Sequence, residues 1–164
     1  MFNAALIGVS GFGDVHYRDL MRETEAGRLR PVAATVINPD EEREKCERLR
    51  GLGCTLFADY REMLRSFAGR IDLCLIPTGI ALHAPMTRAA VEAGANVLVE
   101  KPAAATPADV RAMRDAARRA GRFVAVGFQN FYDPLTLRIK DALLAGRIGR
   151  LTGLKAWALW PRLD

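Results

Sequence analysis

The sequence predicts an α/β domain built on a doubly wound parallel sheet, and three observations carry that expectation. Apolar, β-branched runs alternate with charged stretches of helical period. Runs such as "DLCLI" (72–76) and "NVLV" (96–99) are apolar almost throughout, as when helices cover both faces of a sheet. Gly, Pro, Asn or Asp marks each change from one pattern to the other. The 164 residues suffice for one domain with a full core.

Strands are expected over Ala4 to Val9, Val32 to Ile37, Thr55 to Phe57, Ile71 to Ile76, Asn96 to Val99 and Phe123 to Val126. Each is short, rich in Val, Ile, Leu or Phe, and bounded by turn formers. Helices fill the intervals: Gly13 to Glu25, Glu41 to Arg50, Tyr60 to Phe67, Ala81 to Ala93, Pro107 to Ala120 and Pro134 to Ala145. Asp59 and Thr106 stand at N-cap positions, Pro107 suits a first helical residue, and Gly94, Gly121 and Gly146 sit where helices stop. Right-handed crossovers between parallel strands then leave the doubly wound sheet as the economical arrangement. Residues 1–150 form that domain, and "LTGLKAWALWPRLD" (151–164) reads as the first strand of a second, α+β domain.

Composition excludes several classes. Half the residues are hydrophobic and 26% charged, and no apolar run approaches the roughly 18 residues of a membrane span, so no membrane partner is expected. The start "MFNAALIGVSG" has no basic leader region and reads as a mature first strand, which points to the cytoplasm. The net charge of +5 is spread over helix faces without aromatic interleaving, so nucleic acid is not an expected partner. Cys46, Cys54 and Cys74 lack both CxxC spacing and a nearby His, which argues for reduced packing residues and against a disulfide or zinc site. No metal is expected.

The chemistry concentrates first at Gly8-Val9-Ser10-Gly11-Phe12-Gly13, which follows the first strand and opens into a helix. It fits G-x-G-x-x-G except that Ser10 takes the middle glycine. Backbone N–H groups and a helix N-terminus at such a turn face a pyrophosphate. At the end of the second strand, where an acid usually accepts from the adenosine ribose, stands Asn38. An amide still bonds a ribose hydroxyl, and with no Arg or Lys directly after Asn38 the balance leans to NAD while leaving NADP open.

"ALIGVSGFGDVH", "DYREML", "IDLCLIPTGIALHAPMTRAAVEAGANVLVEKP" and "VGFQNFYDPLTLRIKDALLAGRIGRL" together resemble the N-terminal half of the glucose-fructose oxidoreductase, inositol dehydrogenase and rhizopine-catabolism family, Gfo/Idh/MocA. The resemblance runs in order from Ala4 to Leu151. It implies a Rossmann domain of an NAD(P)-dependent oxidoreductase that moves a hydride between a nicotinamide and a sugar, polyol or related hydroxy compound. In similar proteins an open-faced antiparallel sheet follows and supplies much of the substrate pocket and the subunit contacts, so a homo-oligomer is implied for a full-length protein. Ser10 and Asn38 depart from the family pattern.

Ligands of such a sheet bind outside the carboxyl ends of the strands, so Glu100-Lys101-Pro102 emerges into the cofactor crevice. The resemblance makes Lys101 the catalytic residue, its ammonium bonding the substrate oxygen and stabilising developing negative charge. Pro102 fixes the turn, with a cis bond open to it at modest cost. Pro77 and Thr78 precede His83, which sits where the family often has a histidine near the cofactor, and Gln129 follows the sixth strand. His16 reads as a packing or backbone-bonding residue, and Trp157, Trp160 and Arg162 as the approach to a substrate pocket. A histidine, often with an aspartate, is the acid/base of similar enzymes and lies beyond the matched region, so residues 1–164 alone are expected to bind cofactor and turn over little. The alternative is a non-catalytic nucleotide-binding module whose ligand regulates a partner.

Overall fold

A computed structural model of the chain describes residues 1–157. The elements are β1 (Phe2–Ile7), α1 (Gly13–Glu25), β2 (Leu29–Thr35), α2 (Arg43–Gly51), β3 (Thr55–Phe57), α3 (Tyr60–Ser66), β4 (Leu73–Ile76), α4 (Ile80–Glu92), β5 (Asn96–Val99), α5 (Pro107–Ala120), β6 (Val124–Val126), a 3-10 turn at Gln129–Phe131 and α6 (Pro134–Leu144). The strands form one sheet in the order β3-β2-β1-β4-β5-β6, and every pairing is parallel. The expected doubly wound sheet is therefore present.

Alternation along β1 shows why both faces must be covered. Ala4 and Leu6 join a core that includes Leu20 and Met21 of α1 and Leu49 of α2. Ala5 and Ile7 join the opposite core, with Met63 of α3, Val91 of α4 and Met113 of α5. Leu6, Ile7, Leu20 and Leu49 are all under 2% or at 2% exposed. Each such side chain stabilises the fold by about 1.5–3 kcal/mol relative to the exposed state.

The helix ends follow the sequence chemistry. Asp59 accepts from the Arg61 N–H, and Thr106 from the Asp109 N–H. Gly94, Gly121 and Gly146 all have φ between +60° and +95°, the left-handed region in which a side chain is strained. All three cysteines are free and buried, and burial pushes the Cys54 and Cys74 thiols up to about 12.

Several element ends differ from expectation by one to three residues, and two of them have a plain physical reason. β2 begins at Leu29 rather than Val32, running through Pro31. Pro31 cannot donate to a ladder, but it precedes the β3 pairing, which starts at Ala33, and the register against β1 shifts between Ala4 and Ala5. β1 ends at Ile7 rather than Val9 because Gly8 turns out of the strand at φ +92°.

The chain divides into two compact units, Met1–Gly127 and Phe128–Asp164. The first holds the whole sheet; in the second, α6 buries none of its residues. The sequence reading drew its boundary near residue 150. The strand expected to begin at residue 151 is not formed over residues 151–157. A strand persists only where a neighbour satisfies its backbone, and the described residues pair none with it. Trp157 is exposed, while Trp160 and Arg162 lie outside the described residues. Among the described residues no helix is long and apolar enough to cross a membrane.

Candidate functional site

The strand order reverses between β1 and β4, and the loops leaving those two strands splay apart there. Such a switch point is where open α/β sheets bind ligands. A cleft of about 610 Å³ opens at this place, within the usual range for small-molecule sites. From β1 and its loop it takes Gly8, Ser10 and Phe12; from the end of β2, Thr35, Ile37 and Asn38; from the loop after β4, Pro77 and Thr78.

The glycine loop is wound so that its own carbonyls satisfy the start of α1. Gly13, Asp14 and Val15 donate their N–H groups to Ser10, Gly11 and Phe12 carbonyls at 2.8, 3.2 and 3.1 Å. Among the described residues, no carbonyl accepts from the N–H of Ser10, Gly11 or Phe12. Unbonded donors at the head of a helix are what a pyrophosphate accepts, so the loop fits a dinucleotide. Gly8 and Gly11 adopt φ +92° and +55°. Gly13 is required for another reason: a methyl group there would stand 2.7 Å from the Gly8 carbonyl oxygen.

Ser10 and Asn38, the two departures from the expected pattern, meet each other. The Ser10 hydroxyl donates to Asn38 Oδ1 at 3.1 Å, and Asn38 Nδ2 donates to the Glu41 carboxylate at 2.8 Å. Lys45, which the sequence reading passed over, braces the loop from α2. Its ammonium donates to the Val9 carbonyl at 2.9 Å, Asp14 at 2.9 Å and Glu42 at 2.8 Å. Its hydrogen bonds hold the Asp14 and Glu42 carboxyls below the usual carboxylate range. Burial alone would lower Lys45, but its hydrogen bonds to the two acids outweigh that and raise it.

Depressed acids contribute stability that is present above their unfolded pKa and is lost as pH falls through the folded one. Thermal melts between pH 7 and 3 should therefore show an acid slope that Lys45→Met flattens. An unchanged slope in that variant would show that the cluster is stability-neutral.

The residues after β5 lie on the same rim, because all strands run parallel and only β4 separates β1 from β5, a spacing of about 10 Å. Glu100 is not a free acid. Its Oε1 lies 3.0 Å from His16 Nε2 of α1, and its Oε2 accepts from the Lys101 N–H at 3.0 Å. A methyl group at Gly127 would stand 2.7 Å from the same carboxylate. Lys101 is exposed, and among the described residues nothing accepts from its ammonium. The Lys101–Pro102 peptide is cis.

His83 is 1% exposed and does not line the cleft. Its ring nitrogens lie 2.8 Å from the Pro102 carbonyl oxygen and 2.9 Å from that of Thr78, so it ties the loop after β4 to the turn after β5. Of the residues expected at the site, Gly8, Ser10, Phe12, Asn38, Pro77 and Thr78 share the cleft. Gly11 and Gly13 shape its loop, His83 and Glu100 brace it from behind, and Lys101 and Pro102 stand on the rim. Gln129 belongs to the second compact unit. Glu41, Glu42 and Lys45 were missed; on sequence they are ordinary charges at the head of a helix.

A parallel sheet of this order, with a glycine loop and a cleft at its switch point, defines a dinucleotide-binding Rossmann domain. The chain belongs to the Gfo/Idh/MocA family, whose model, described as an oxidoreductase family with an NAD-binding Rossmann fold, matches residues 2–128. Among curated relatives, dTDP-3,4-didehydro-2,6-dideoxy-alpha-D-glucose 3-reductase of Streptomyces violaceoruber is 31% identical over 93% of this chain and 44% of its own. Inositol 2-dehydrogenase of Klebsiella pneumoniae is 32% identical over 88% of this chain and 42% of its own. The chain thus spans less than half the length of these relatives. Among solved structures, an NAD-binding oxidoreductase from Klebsiella pneumoniae superposes with a TM-score of 0.76 at 28% identity, covering 90% of this chain and 40% of that one. The WlbA dehydrogenase from Bordetella pertussis, in complex with NADH and UDP-GlcNAcA, gives 0.75 at 25% identity, over 91% and 41%.

Proposed function

We propose that this NAD-binding domain serves hydride transfer between a nicotinamide dinucleotide and a secondary alcohol or ketone of a sugar, nucleotide-sugar or cyclic polyol. The observation that carries the reading is the shared rim: the glycine loop and Lys101 leave strands separated by β4 alone. The relatives support the substrate class, one acting on a dTDP-linked sugar and another on inositol.

In this reading the N–H groups of Ser10, Gly11 and Phe12 donate to the pyrophosphate oxygens, and Asn38 lies at the adenosine ribose. The bound nicotinamide supplies the hydride acceptor or donor. Lys101 donates from its ammonium to the substrate oxygen, and its positive charge stabilises that oxygen as negative charge develops on it. Glu100 cannot serve as the acid, since both its oxygens are engaged. It holds the turn that carries Lys101, with His16 behind it.

Titrating the chain into NADH and following nicotinamide fluorescence tests the binding half. Saturable binding is expected, and it should be competed by NAD. No saturation up to millimolar protein or cofactor would remove the reading.

A further inference from the structure

The acid usually found at the end of β2 is replaced by Asn38, yet a carboxylate bonds that residue: Glu41, which stands behind it and does not itself line the cleft. Asn38 lines the cleft, and its amide is fixed at both ends. A carboxylate only accepts, so the Asn38 NH₂ must face Glu41, at 2.8 Å. Oδ1 then faces the Ser10 hydroxyl, at 3.1 Å. Glu41 uses one oxygen for Asn38 and retains lone pairs for another donor.

Resting on the dinucleotide reading, we propose that Glu41 supplies the carboxylate of the adenosine-ribose subsite, relocated three residues along the chain and aimed by Asn38, and that it sets the choice of NAD over NADP.

The physical case has three parts. The ribose of NAD offers hydroxyl donors, which a carboxylate accepts strongly, whereas the 2′-phosphate of NADP brings negative charge that the same carboxylate repels. Among the described residues, those lining the cleft include neither a cation nor an acid. The cations nearest in sequence are Arg43 and Lys45, and Lys45 is already held between Asp14 and Glu42. Glu41 is thus the charged side chain that bonds the polar group lining the β2 end of the cleft. Ser10 completes the arrangement: its hydroxyl occupies Asn38 Oδ1, so the amide cannot rotate to present its NH₂ to a phosphate without breaking two hydrogen bonds.

The test measures dissociation constants for NADH and NADPH by fluorescence titration of wild type, Glu41→Gln, Glu41→Gln with Asn38→Asp, and Arg43→Ala. Wild type should bind NADH at least about 30-fold tighter than NADPH, in keeping with a charged hydrogen bond gained in one and lost in the other. Glu41→Gln should shrink that ratio about tenfold or more, by weakening NADH and strengthening NADPH. Restoring an acid with Asn38→Asp in that background should recover most of the ratio. A purely structural role for Glu41 would move both cofactors by the same factor, and that result overturns the proposal. So does a wild-type preference for NADPH that disappears in Arg43→Ala. Binding of neither cofactor by wild type would remove the dinucleotide reading itself, which separates that failure from failure of the specificity claim.

Discussion

Gly13→Ala is expected to abolish measurable NADH binding and to destabilise the domain by about 3 kcal/mol or more, the upper range for forcing a methyl group into packed atoms. The obstacle is backbone: the added carbon would stand 2.7 Å from the Gly8 carbonyl oxygen and 3.0 Å from its carbon. Relief requires that α1 retreat from β1 or that the Gly8 turn unwind, and either displaces the N–H groups of Ser10 to Phe12. Gly11→Ala is the informative contrast. No heavy atom lies within 4 Å of its added carbon, so only the left-handed backbone at φ +55° is penalised, at about 1–2 kcal/mol. Chemical denaturation and NADH titration of the two variants should separate them clearly. Retention of affinity within threefold of wild type by Gly13→Ala would show that the loop does not hold the cofactor.

If hydride transfer proceeds as proposed, Lys101→Met should lower kcat by about 10²–10³-fold, the usual cost of removing one donor to a developing oxyanion. The NADH dissociation constant should stay within a few-fold, because the glycine loop and the β2 end would hold the dinucleotide. The substitution keeps the stem length, and Lys101 is exposed, so the fold has little to lose. Steady-state kinetics with cyclic polyols and nucleotide-linked sugars, paired with direct NADH titration, distinguish the possibilities. Turnover within tenfold of wild type would dismiss Lys101 from the chemistry. A parallel loss of NADH affinity would make it a cofactor-holding residue.

Much of this was legible along the chain. The glycine loop declares itself by spacing, and Asp59 and Thr106 cap helices as their positions suggest. Other features were hidden by their distance in sequence. His16 and Glu100 stand 84 positions apart, and nothing local to either names the other. Lys45 and Glu41 look like solvated charges at a helix start, because only the packing of α2 beside the glycine loop gives them partners. The burial of His83 between the Pro102 and Thr78 carbonyls likewise joins residues from two separate loops, which the sequence around it does not announce.

The sequence by itself determined the alternation of strands and helices and the burial of both sheet faces, since hydrophobic period and turn residues are local properties that each segment carries alone. The tertiary structure alone decided that β1 lies between β2 and β4, that β2 runs through Pro31, and that Ser10 meets Asn38. Those are contacts between segments brought together by strand pairing, and a pairing depends on two stretches at once, so neither stretch can encode it in its own pattern.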